Sequence, residues 1–138
     1  MIAGAMPKQV EYALIVLSEM QTASPGHLFS ARELGDRHQI PFDVLSKTMQ
    51  RLGHAGILRS VKGVCGGYQV IKDLSTVSLL DVIEAVSGSL STVSCLKEGC
   101  DCPRVGSCSI SDPMRIVDQK LRELYRSLDV AHLVAGRM

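Results

Sequence analysis

Four cysteines, Cys95, Cys100, Cys102 and Cys108, fall within fourteen positions of the segment SCLKEGCDCPRVGSCSI. Thiolates gathered this closely can hold zinc or an iron–sulfur cluster, because soft sulfur suits both metals, and they can also pair as disulfides. The chain has five cysteines in all, the fifth being Cys65, and an odd number argues against a disulfide framework. The opening run MIAGAMPKQVEYALIVLSEM lacks a basic leader, and Glu11 and Glu19 bracket its most apolar part, so no signal peptide is expected. No run of eighteen apolar residues exists, which excludes a membrane-spanning helix. A cytoplasmic location is therefore expected, where a reducing thiol pool favours metal ligation or redox reactivity over structural disulfides. On spacing alone, zinc, an iron–sulfur cluster and a thiol switch all remain open. His27, His38, His54 and His132 show no metal-ligand spacing, and no nucleophile–base pair or phosphate-cradling loop is present, so an enzyme is not expected.

The elements that must position these thiols can be read from periodicity. With 138 residues, 46% of them hydrophobic, the chain can bury one real core. Residues 8–20 carry apolar groups round most of a helix, and Pro25 and Gly26 keep that helix from continuing. Ser30 suits a helix N-cap, with Glu33 completing a capping box for ARELGDRH. A second short helix starts near Pro41 and Asp43, repeats Val44, Leu45, Met49 and Leu52 on one face, and stops at Gly53 or Gly56. Its other face presents Ser46, Lys47, Gln50 and Arg51. Two such helices joined by a tight turn form a helix-turn-helix pattern.

Strands over 57–61 and 68–72, joined by KGVCGG, add a β-hairpin wing. A helix over 78–88 packs through Leu79, Leu80, Ile83 and Val86. After the cysteines, Asp112 as cap and Pro113 at the first helical position open a final helix. Met114, Val117, Leu121, Leu124 and Leu128 recur along it at coiled-coil spacing, a seam suited to a second copy of the chain. The predicted fold is mainly α (α+β): a winged helix-turn-helix with a β-hairpin wing, a cysteine-rich loop and a long C-terminal dimerisation helix. Its divisions are 1–88 for the winged helix-turn-helix DNA-binding domain, 89–111 for the cysteine-rich loop, where a metal or cluster would bind, and 112–138 for the dimerisation helix and C-terminal tail.

The net charge of only +1 conceals one basic window. Between Pro41 and Gly66, Lys47, Arg51, Arg59 and Lys62 face a single acid, Asp43. By position, Ser46, Lys47, Gln50 and Arg51 meet the major groove or its phosphates, and Ser30 meets phosphate at a helix N-terminus. Arg59, Lys62 and Gly63 meet backbone or minor groove at the wing. Tyr68 either contacts phosphate or packs its ring under the hairpin. With no Trp, two Phe and three Tyr, there is little to stack on single-stranded bases, which disfavours an RNA-binding role.

VEYALIVL, SVKGVCGGYQVIKD, SLLDVIEAVSG, the cysteine loop and the terminal helix together resemble the IscR/NsrR family of bacterial winged-helix transcription regulators, from about Lys8 to Val134. The resemblance implies a homodimer on double-stranded promoter DNA with a palindromic operator, its affinity controlled by an iron–sulfur cluster (2Fe–2S or 4Fe–4S). The signal would be redox state, nitric oxide or iron–sulfur supply. It also implies a ligand spacing of Cys-x5-Cys-x5-Cys. Cys102 and Cys108 fit this; Cys95 is separated from Cys102 by six residues, and Cys100 is the alternative. A histidine three residues past the last cysteine is absent, since Ser111 stands there. The family's other fourth ligand, an acid before the first helix's aromatic, corresponds to Glu11, supplied by the partner subunit. Cys65 takes a place in the wing that is usually glycine; it is either a tolerated small side chain or an oxidisable thiol where DNA passes. Alternatives are a regulator using the cysteines as a zinc site or thiol switch without a cluster, and a winged-helix module that binds a partner enzyme.

Overall fold

A computed structural model of the chain describes residues 6–24, 26–64, 66–88 and 109–136. In chain order the elements are α1 (Lys8–Gln21), α2 (Ala31–His38), α3 (Phe42–His54), β1 (Leu58–Val61), β2 (Gly67–Val70), a 3-10 turn (Leu74–Thr76), α4 (Leu79–Ser87), α5 (Ser111–Ser127) and α6 (Val130–Ala135). The expected mainly helical winged helix-turn-helix is what forms. No helix among the described residues is long and apolar enough to cross a membrane.

The centre of the core is α1, whose Val10, Ala13, Val16 and Leu17 are completely buried. Packed against it are α3, through Leu45, Met49 and Leu52, and α4, through Val82, Ile83 and Val86. Burying side chains of this size contributes about 1.5–3 kcal/mol each, which explains why a helix so apolar all round its circumference sits between the others.

Local chemistry fixes the helix ends. Ser30 Oγ accepts the Glu33 N–H at 3.0 Å, as expected of an N-cap. The reciprocal half of the expected capping box is missing, because the Glu33 carboxylate instead pairs with Arg37 at 2.7 Å. A complete capping box occurs at α4, between Ser78 and Asp81. Helix α3 runs through Gly53 and ends at His54, followed by Gly56 with φ +81°. Helix α5 begins at Ser111, one residue before the expected cap; Asp112 lies in its first turn, where its charge complements the dipole.

The hairpin pairs Leu58 with Val70 and Val61 with Gly67 in antiparallel register. Its sequence Gly-x-x-Gly-Gly-Tyr has a steric reason. Gly63 has φ +123°, a left-handed conformation that favours glycine, and its carbonyl accepts the Gly66 N–H at 3.0 Å. A Cβ on Gly66 would lie 2.1 Å from the Val61 carbonyl oxygen, and one on Gly67 would lie 2.7 Å from that of Phe29. The second approach is close because Phe29 and Tyr68 exchange two backbone hydrogen bonds, of 2.9 and 2.7 Å.

The C-terminal region differs from a simple helix and tail. Helix α5 rests on α4, where Arg122 reaches Glu84 at 3.6 Å. The chain then turns at Leu128. Leu79 N–H donates to Leu128 C=O and Val130 N–H donates to Val77 C=O, each at 2.8 Å, so Ser78 and Asp129 form an antiparallel bridge. Helix α6 comes next, capped by Asp129, and folds back on α1. The His132 backbone N–H, and then its ring, hold the Asp129 carboxyl below the usual carboxylate range.

Gly67→Ala should lower the unfolding free energy by about 1–3 kcal/mol, as overpacking typically does, and loosen the hairpin. Urea denaturation beside amide exchange at Phe29 and Tyr68 checks both effects.

Candidate nucleic-acid interface

The apolar stripe of α3 turns Leu45, Met49 and Leu52 inwards, which leaves Asp43, Lys47, Gln50 and His54 exposed on the opposite side and Ser46 half-buried. Thr48 is buried, its hydroxyl donating to the Val44 carbonyl at 2.9 Å. Between this helix and the hairpin lies an open cleft of about 410 Å³, lined by Gln50, Gly53, His54, Arg59, Ser60 and Tyr68 among others. Recognition helix and wing therefore border one continuous concave surface.

The wing residues are placed by strand register. Arg59 stands opposite Gln69, and with the Gln69 side-chain oxygen facing it, Arg59 Nη2 and Nε lie 2.5 and 3.3 Å away. Lys62 and Gly63 are exposed at the hairpin turn, beside a fully exposed Val64. Tyr68 packs its ring against the core, the second of the two roles its position allowed. Ser30 uses its oxygen as the α2 cap, and its hydroxyl proton is still a donor.

Arg51, exposed on α3 as expected, also makes a contact within the head. Its Nη1 donates to the Val86 carbonyl at 2.6 Å, joining α3 to the last turn of α4. Carbonyls in that turn lack intrahelical donors, so a guanidinium is favourable there both as a hydrogen-bond donor and as a positive charge. Periodicity placed Arg51 away from the buried stripe, but its length lets it curl round to a neighbouring helix. Arg37 is also engaged internally: Glu19 binds Nη1 and Glu33 binds Nη2, and the Glu19 hydrogen bond chiefly raises its pKa above the ordinary guanidinium value. His38 Nε2 lies 3.4 Å from the same Glu19 carboxylate, so this histidine is half-buried rather than a surface residue.

Three residues of the reading face were not singled out by sequence. His54 lines the cleft, and Arg32 of α2 lies 4.7 Å above the ring of the exposed Phe42. Periodicity alone hid Phe42: it stands three residues before Leu45 and seven before Met49, at the spacing of the apolar stripe of α3, yet as the first residue of the helix it is left exposed.

The metal-binding expectations fall elsewhere. Cys65, Cys95, Cys100, Cys102 and Cys108 all lie outside the described residues, and no group of three or more potential ligands occurs among the described ones. Glu11 is described. It is exposed in the first turn of α1, its carboxylate 3.2 Å from Lys8 Nζ.

Residues 6–136 match the family described as Rrf2, iron-dependent transcriptional regulator. The chain belongs to the Rrf2 family. Among its relatives is the protein aau3 of Rhizobium meliloti, 28% identical over 96% of this chain and 86% of that protein. The regulator IscR of Vibrio vulnificus is 24% identical over 90% of this chain and 73% of its own length. Among solved structures, the global cysteine regulator CymR of B. subtilis superposes with a TM-score of 0.71 at 19% identity. That superposition covers 99% of this chain and 98% of CymR, a likeness of fold. This Rrf2-family chain is thus a DNA-binding transcriptional regulator and not an enzyme.

Lys47 and Arg51 should separate in their effects. Lys47→Ala should leave the melting temperature unchanged and reduce the salt slope of DNA binding by about one. Arg51→Ala should lower the melting temperature through the lost charge-assisted bond, worth about 1.5–3 kcal/mol for such groups. Calorimetry and binding titrations across salt concentrations test the pair.

Proposed function

We propose that the chain is a cytoplasmic homodimeric regulator whose affinity for a palindromic operator is set by an iron–sulfur cluster held by Cys95, Cys102 and Cys108. Cys100 is the alternative thiol, and Glu11 of the partner subunit is the fourth ligand. The observation that supports this most is one of placement. The cysteine segment leaves the reading head at Gly88, directly after α4, and rejoins the described chain at Ser109, just ahead of a helix with an uncovered apolar seam. Whatever orders that segment is connected on one side to the helix Arg51 grips and on the other to α5.

The donor chemistry fits such a group. Thiolates offset the positive charge of iron, and a carboxylate completes the set as a hard, readily displaced ligand. When bound, the cluster supplies redox and nitric-oxide reactivity at 2Fe–2S or 4Fe–4S nuclearity. Glu11 is suited to the fourth position because the only partner of its carboxylate among the described residues is the exposed Lys8, and exposed pairs contribute about 0–1 kcal/mol. Its carboxylate can therefore turn to another ligand at little cost.

The DNA-facing set is Ser30, Ser46, Lys47, Gln50, Arg59, Lys62 and Gly63. Arg51 positions the recognition helix rather than reading the groove, and Tyr68 supports the wing from beneath. Two heads related by a two-fold axis would read half-sites about one helical turn apart.

Dimerisation is proposed through α5. Ile110, Val117 and Leu124 are 56%, 44% and 51% exposed, and with Met114 and Leu121 they keep heptad spacing as far as Leu128, which turns out of the helix and packs on the core. Leaving such side chains in water forgoes about 1.5–3 kcal/mol each.

Protein purified without oxygen should carry about two or about four irons per chain with matching acid-labile sulfide. Glu11→Ala should retain that iron but lose it faster to oxidant. Absence of iron and sulfide after anaerobic reconstitution overturns the cluster reading. Leu124→Glu should convert the dimer to a folded monomer, seen as a halved mass in sedimentation equilibrium with unchanged helical circular dichroism.

A further inference from the structure

We propose that Phe42, held by Arg32, reads the C5-methyl group of a thymine in the operator. The inference deepens the DNA-binding reading and rests on it. Phe42 is the first residue of α3 and is 44% exposed, whereas the chain's other phenylalanine, Phe29, is buried in the core. A large apolar ring with nearly half its surface in water is not among the side chains packed on the core cluster. It does stand at the end of the recognition helix that enters the major groove first, where residues contact base edges.

Arg32 adds an independent observation. It lies in the first turn of α2, where a positive charge opposes the helix dipole. Among the described residues it has neither hydrogen-bond nor ion-pair partner; its one interaction is with the Phe42 ring, 4.7 Å from guanidinium carbon to centroid. Helix stability does not explain that placement. A phosphate does: in a helix-turn-helix the first helix crosses the DNA backbone, and the guanidinium can stack on an aromatic ring while its N–H groups point at an anion.

The pair thus spans both helices of the reading head. Arg32 engages phosphate, and its stacking limits the rotamers of Phe42, so that one face of the ring is covered and its edge is presented outwards. Phe42, Ser46 and Gln50 recur at intervals of four along α3, which carries one contact line from an apolar reader to two polar ones. In the major groove, thymine is the base whose distinguishing feature is a methyl group, and phenylalanine is among the side chains able to sense it.

The test uses the intact chain on an operator selected from random duplex DNA. Each thymine is then replaced singly by deoxyuridine, which removes the methyl group alone. Wild type should lose about fourfold in affinity at one thymine per half-site, the effect of burying a single methyl. Phe42→Ala should bind the thymine and deoxyuridine operators equally, while Phe42→Leu should keep part of the discrimination. Arg32→Ala should reduce the salt slope by about one. Equal melting temperatures exclude misfolding, as expected for exposed side chains. Wild type indifferent to every deoxyuridine, or Phe42→Ala discriminating as well as wild type, overturns the inference while leaving DNA binding intact. Failure to enrich any sequence overturns both.

Discussion

Two backbone hydrogen bonds between Phe29 and Tyr68 hold the reading head together. They join the segment that enters α2 to the second strand of the wing, and so fix the hairpin against the helix-turn-helix. Everything on the concave surface depends on that closure: the separation of Arg59 from Gln50, the seating of Tyr68, and the direction in which Lys62 projects. The closure in turn depends on a missing side chain, since a Cβ at Gly67 would meet the Phe29 carbonyl. Buried backbone groups that lose their partners cost more than the bond itself contributes.

Electrostatic organisation obeys the same economy of contacts. Six of the basic side chains near the reading head are arginines or lysines, but they are not equivalent. Arg37 is tied by Glu19 and Glu33, and Arg51 by a carbonyl, whereas Arg32, Lys47, Arg59 and Lys62 point their charge outwards. A net charge of +1 is compatible with phosphate binding because these cations are exposed, and it is local potential that a polyanion meets first.

Much of this was legible in the chain. The first four helices and the hairpin can be read from apolar periodicity and turn residues, which report burial directly. The capping relations were harder. Glu33 has the right spacing for a capping box, but an arginine one turn later competes for its carboxylate, and spacing does not rank the two. The bond from Arg51 to Val86 was not legible because periodicity locates a Cα while the long side chain decides where the charge goes. Helix α6 was missed because the heptad pattern continues through Leu128, hiding the turn at Asp129 that only the backbone bridge to Ser78 explains. The cysteine segment has no apolar period at all, so its sequence conveys ligand chemistry without geometry. It also lies outside the described residues.

That bridge between Ser78 and Asp129 has a topological consequence. The chain departs from the core after α4 and returns at α6 alongside the point where α4 began, so the cysteine segment and α5 form an excursion sealed at its base. Extending a closed excursion is inexpensive, about 0.6 kcal/mol for each doubling of its length. Within such a fold, residues inserted between Gly88 and Ser109 lengthen a loop whose base, at Ser78 and Asp129, is already closed by backbone hydrogen bonds.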